Sequence, residues 1–197
     1  MFRLKTLFAA LALAITTPLA LAPAAAAQGT TAVVIDRNQI FAQSSAGRDI
    51  ITKIQGIETT MQGELKPTAD QLAVEGPAIE AKTQGRTRES ILADATLKGE
   101  VEAYARKAND FNRRRQIAAQ ELALTERKAL ADFNAALVPV LRDVVAERSA
   151  NLILDKSQVV FVDDPTDVTA SVIAKLDAST PSITVVRQKV QAQAAPQ

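Results

Sequence analysis

The 197-residue chain has no Cys and no His. That removes disulfides, thiolate and imidazole metal ligands, and the commonest general base near neutral pH, so catalysis is disfavoured and no metal or cofactor is expected. Its 23 basic and 22 acidic residues nearly balance, which gives no sign of a nucleic-acid partner.

The first residues read as an address. Arg3 and Lys5 precede a short apolar run over residues 7–15, Thr16-Thr17-Pro18 breaks it, and Ala25-Ala26-Ala27 supplies a small-residue cleavage pattern. The run is shorter than the ~20 residues a membrane span needs. Residues 1–27 are therefore expected to be a cleaved signal peptide. The exported mature chain keeps 21 basic residues against 22 acidic ones, because Arg3 and Lys5 leave with the signal.

Thr31-Ala32-Val33-Val34-Ile35-Asp36 has the β-branched pattern of a buried strand. Asn38 is placed to cap a brief helix with Ile40 and Phe41, and Ser44 or Ser45 to cap a long one. In the long helix Ile50, Ile54, Ile57, Met61 and Leu65 recur at helical steps, continued by Leu72 and Ile79. Gly56 and Gly63 each cost about 1 kcal/mol relative to Ala, and Pro67 should kink the helix near Leu65. Gly76-Pro77 and Gln84-Gly85-Arg86 interrupt the pattern, so the chain is expected to reverse between residues 76 and 94, with the tip at about 82–90.

The return stretch carries the clearest signal. Leu97, Val101, Tyr104, Ala108, Phe111, Arg115, Ala118, Leu122, Thr125 and Ala129 alternate steps of four and three, the spacing of a narrow seam that meets another helix. Two such arms form an antiparallel hairpin, and ~35 residues at 1.5 Å each extend about 50 Å. Pro139 marks a bend and Asn151 the end of the helix. Leu152-Ile153-Leu154-Asp155 and Gln158-Val159-Val160-Phe161-Val162 then read as two strands joined by a tight turn at Lys156-Ser157. Asp163-Asp164-Pro165 turns the chain, Asp167 is placed to cap a last helix, Ile183 opens a candidate strand, and residues 188–197 read as a disordered tail.

The expected fold is α+β and mostly helical. A small β body holds the first strand and the last two, with the long α-helical hairpin inserted between them. The spans are 1–27 signal peptide, 28–43 first part of the body, 44–148 arm, 149–180 second part of the body and 181–197 tail. Three short strands and a helix make a poor core for a monomer, so oligomerisation through the body is expected.

The closing segment resembles the Skp/OmpH family of periplasmic chaperones. The likeness lies in Ala32-Val33-Val34-Ile35-Asp36, the helical excursion ending at Leu137-Val138-Pro139-Val140, and Asn151-Leu152-Ile153-Leu154-Asp155-Lys156. It continues through residues 159–164, Pro165, Asp167-Val168-Thr169, Val172-Ile173 and Leu176. The resemblance implies a periplasmic homotrimer with a central β body, whose helical tentacles hold unfolded outer-membrane β-barrel proteins without ATP. The trimer body would then use Val33, Val34, Ile35, Leu152, Ile153, Leu154, Val159, Val160, Phe161 and Val162. Lys82, Arg86 and Arg88 at the tip are candidates for client or lipid-headgroup contact. The absence of a GxxxxGK[ST] loop agrees with an ATP-independent holdase. The other reading is a non-catalytic structural or adaptor protein of the envelope, using the coiled-coil arms to reach one folded partner.

Overall fold

The computed structural model describes residues 30–190. The expected signal peptide lies outside them, as do the last seven residues of the expected tail.

Strand β1 (Ala32–Ile35) leads through helix α1 (Arg37–Gln43) into the outgoing arm α2 (Ser45–Thr83). Helix α3 (Arg88–Ala93) forms the tip, and α4 (Ala95–Glu147) returns to strand β2 (Leu152–Asp155). Two 3-10 turns, Lys156–Gln158 and Asp164–Thr166, precede helix α5 (Thr169–Ser179). The fold is α+β and mostly helical, as expected, with the hairpin inserted into a small sheet.

That sheet differs from the expected one. β1 and β2 pair in parallel, with Ala32 opposite Leu152 and Ile35 opposite Asp155. Below Ala32 the Asn151 amide donates to Thr31 O (2.9 Å), and the Thr31 amide donates to Asn151 Oδ1 (3.1 Å). Asn151 is thus a strand clamp rather than a helix cap. The helix stops earlier, with Arg148 as C-cap and Ser149 in the left-handed region at φ 49°. The expected β-hairpin is also absent, because Asp155 accepts from the Ser157 amide and hydroxyl and winds the chain into a 3-10 turn. Residues 159–162 consequently leave the sheet and form no strand. On the far side of β1, the Val168 amide donates to Val34 O at 2.9 Å.

The helix starts follow side-chain oxygen chemistry. Asp36, not Asn38, caps α1 by accepting from the Gln39 amide, and Ser44 caps α2 by accepting from the Gly47 amide. Gly47 is required there, since a Cβ would lie 1.8 Å from Phe41 O. α2 passes unbroken through Pro67 and Pro77. Each proline removes one backbone bond, and both rings face outward, which limits the steric cost. Gly85 turns the tip at φ +74°.

The core gathers Ile35 and Ile40 with Ile50 of α2, Phe133, Leu137, Val140 and Val144 of α4, and Val172 and Leu176 of α5. Phe41 meets Phe133 edge to face at 5.0 Å. The body therefore includes the roots of both arms. Pro139 sits within α4 where its seam faces this core.

Asp167 ties the start of α5 to the turn that follows β2. Burial disfavours its charge, but the Lys156 ammonium at 2.7 Å and the Thr169 hydroxyl and amide outweigh that and hold its pKa at about 2. Asp167 is then worth about 2 kcal/mol above the ordinary carboxylate range, and this is lost as pH falls from about 5 to 2. Urea unfolding of Asp167→Asn should show a deficit of about that size at pH 7 that is roughly halved at pH 3 and nearly closed at pH 2. An equal deficit at both pH values would place the loss elsewhere.

Candidate functional site

The arm and the faces that carry it form the candidate functional surface. No group of His, Cys, Asp or Glu among the described residues is arranged to hold a metal ion. No described helix is long and apolar enough to cross a membrane.

The arms pair in one register. Lys82 Nζ lies 2.6 Å from Glu100, Lys107 Nζ 2.5 Å from Glu75, and Arg114 donates to Glu64 O (3.3 Å) and Thr68 Oγ1 (3.5 Å). Arg114 thus braces the turn of α2 that Pro67 interrupts. Tyr104 packs where Gly76 leaves room, since a Cβ there would sit 2.9 Å from the tyrosine hydroxyl. Arg115, which the seam spacing placed between the helices, is exposed instead and lies over the Phe111 ring at 5.8 Å.

Apolar burial thins along the arm. Beyond Ile50 on α2 only Met61 is buried, and on α4 only Leu97 is a buried apolar residue before Ala129. Large apolar side chains stand exposed along the same helices: Ile51, Val74, Ile117, Leu124 and Leu130, with Leu92 at the tip. The arms are held mainly by thin seams and surface ion pairs, each worth about 0–1 kcal/mol.

At the tip the basic residues are not free of acids. Lys82 pairs with Glu100 and Arg86 with Asp94 (3.2 Å). Arg86 and the Leu97 amide together hold Asp94 below the usual carboxylate range, the amide contributing more. Arg88 is exposed at the start of α3 and makes no ion pair among the described residues.

Near the root, the segment after α5 reverses an expectation. Residues 188–190 are not a loose tail, and Ile183 starts no strand. Residues 180–190 run as an extended strap along the base of both arms. Arg187 spans them, donating to Glu64 of α2 at 2.8 and 2.9 Å and to Glu121 of α4 at 2.8 Å. Glu121 is only 4% exposed. Burial would raise its pKa, but Arg187, the Val190 amide and Lys189 overcome that and leave it lowered. Glu64 is likewise lowered, chiefly by Arg187. Sequence reading missed Glu121 because it lies one residue before the seam position Leu122. The only available signal was an acid flanking an apolar stripe with a basic residue far along the chain.

The residues expected at a trimer body divide into two groups. Val33, Val34 and Ile35 are buried within the chain, and Ile153 and Leu154 are half-buried. Leu152 is exposed, while Val160 and Phe161 stand 106% and 81% exposed beside half-buried Val159 and Val162. A shallow hollow of about 360 Å³ beside Leu152 and Ile153 is lined also by Val138, Leu141, Arg142, Val145 and Asn151. β2 has no strand on its outer edge among the described residues.

Arg187→Ala should detach the strap and return Glu121 upward to the ordinary carboxylate range. Breaking a mostly buried ion pair costs about 2–3 kcal/mol, so exchange of the Gln188 amide should quicken by at least tenfold. Unchanged protection of that amide would show that the strap is held by other contacts.

The comparisons with known proteins agree with this architecture. The chain matches the model of the outer membrane protein (OmpH-like) family over residues 31–176. Among solved structures it is similar to a candidate outer membrane chaperone (OmpH-like) from Caulobacter crescentus CB15, with a TM-score of 0.70 and 22% identity. The alignment covers 84% of this chain and 94% of that one. No curated protein matches it. With the family match spanning the sheet, both arms and most of α5, the chain belongs to the OmpH-like outer membrane protein family.

Proposed function

We propose that the protein is an ATP-independent periplasmic holdase that binds unfolded outer-membrane β-barrel proteins and prevents their aggregation in transit. The observation that carries this reading is the arm itself: a family-matched hairpin with exposed apolar side chains spread among charges over most of its length. α2 alone, at 39 residues, extends about 60 Å. Unfolded outer-membrane strands expose alternating apolar residues that pair with one another. Dispersed apolar contacts on a thinly packed arm suit such a client, because many weak contacts shield it without demanding one sequence. A spacer reaching one folded partner would gain from stiffness, which Gly56, Gly63 and the two arm prolines oppose.

The working unit in this reading is a homotrimer of signal-cleaved chains, joined through the β body. The unpaired edge of β2, the neighbouring apolar hollow and the outward Val160 and Phe161 are the support for that interface. At the tips, Arg88 is the residue best placed to touch client or lipid headgroups, since Lys82 and Arg86 are already paired.

A denatured outer-membrane β-barrel protein diluted into buffer with the mature chain, without ATP, should stay soluble. Protection should saturate near three chains per client. Failure at every ratio would favour an adaptor for one folded partner. Val160→Asp should reduce the assembly to monomers by light scattering while leaving the helical content intact. An unchanged trimer would exclude residues 159–162 from the interface.

A further inference from the structure

The strap is gripped by side chains and by its backbone: besides Arg187, Ser182 Oγ donates to Asp49 Oδ2 at 2.8 Å and accepts from Lys53 Nζ at 3.1 Å. Asp49 Oδ2 accepts from the Ile183 amide at 3.1 Å, and Lys53 Nζ donates to Ile183 O at 2.7 Å. Thr125 Oγ1 accepts from the Gln188 amide at 2.9 Å, and Glu121 Oε1 from the Val190 amide at 3.3 Å. Those last two amides are two residues apart, the spacing at which one edge of an extended chain presents its donors. Thr184 and Val186 meanwhile face solvent, while Lys189 reaches Glu121 at 3.6 Å. The groove thus meets the backbone of the strap through four hydrogen bonds while also engaging particular side chains. Its one strong side-chain demand is a cation opposite Glu64 and Glu121, which Arg187 meets here.

The strap's position in the chain matters too. The family match ends at residue 176, short of the strap, while the arms that grip the strap lie within the match. The strap enters from α5, is anchored by the side chains of Ser182, buried Ile183, Val185 and Arg187, and pairs with a Glu64 side chain that is 49% exposed.

Resting on the holdase reading, we propose that the groove at the base of the arms is a binding site for extended, unfolded polypeptide carrying a basic residue. Residues 182–190 are its resident occupant, which an incoming client segment displaces. Because the strap is tethered, it competes at a high effective concentration, and a client must offer many segments to enter. The strap thereby keeps a buried carboxylate paired while the chaperone is empty.

The full mature chain, which has no native cysteine, allows a direct test. Thr125→Cys with Gln188→Cys pins the strap on oxidation and frees it on reduction. The probe is a denatured outer-membrane β-barrel protein. The wild-type chain reports holdase activity itself, and the variant is read only as the ratio of its oxidised to its reduced state. Closure lowers apparent affinity by the fraction of time the groove is open, so the oxidised state should need about tenfold more protein for half-suppression. Equal suppression in the two states overturns the proposal and leaves the holdase reading standing. No suppression by the wild-type chain removes the holdase reading and the proposal with it. Arg187→Ala decides independently if the cysteine pair does not close: freeing the strap should strengthen client binding several-fold, and unchanged or weaker binding overturns the proposal.

Discussion

Four residues of β1 lie beside four residues of β2, and the whole arm is strung between them. This parallel ladder, clamped below by Asn151 on Thr31, brings together the two places where the arm leaves and re-enters the body. A two-stranded sheet is marginal alone in water. It persists because α1, α5 and the roots of α2 and α4 pack over it, with Ile40, Ile50, Phe133 and Val172 buried between the layers. The arm roots are therefore part of the core. The orientation of the hairpin is fixed by the same apolar contacts that make the body stable.

From that root outward the physical regime changes. Near the body, buried aliphatic and aromatic side chains set the geometry. At the level of Glu64 and Glu121 the two helices are joined instead through one guanidinium supplied by a third segment. Farther out, a few half-buried apolar residues and solvent-exposed ion pairs remain, and surface pairs contribute little. The result is an arm anchored firmly at one end, tied once, and progressively freer toward the tip. Such a gradient suits a binding surface that must conform to a chain without structure of its own.

Much of this was legible in the residues because periodicity survives without tertiary information. The four-three spacing of Leu97 to Ala129 and the β-branched run at Val33, Val34 and Ile35 located the return arm and the first strand. The apolar run at Leu152 located β2. What was not legible depended on competition between local and distant partners. Gln158 to Val162 has strand composition, yet Asp155 captures the Ser157 amide and hydroxyl and turns the chain away from the sheet. The C-terminal segment looked like a loose tail because its anchors are single polar residues on helices more than sixty positions away. Lys82 and Arg86 were singled out for isolated charge, but the fold supplies Glu100 and Asp94 from the opposite side of the tip. Periodic patterns announce themselves in sequence, whereas pairings between lone polar residues do not.

The parallel pairing of β1 with β2 also sets an order of events in folding. Ala32 meets Leu152 across 120 residues, so the sheet cannot close until nearly the whole chain is available. The hairpin, built from contacts across a nearby reversal, has no such delay. As the chain is made, N-terminus first, Val33, Val34 and Ile35 arrive early and wait as an unpaired apolar strand. During that interval the protein itself exposes the kind of β-branched segment that aggregates. A protein of this architecture is thus, for part of its own synthesis, itself an unfolded chain with an exposed strand edge.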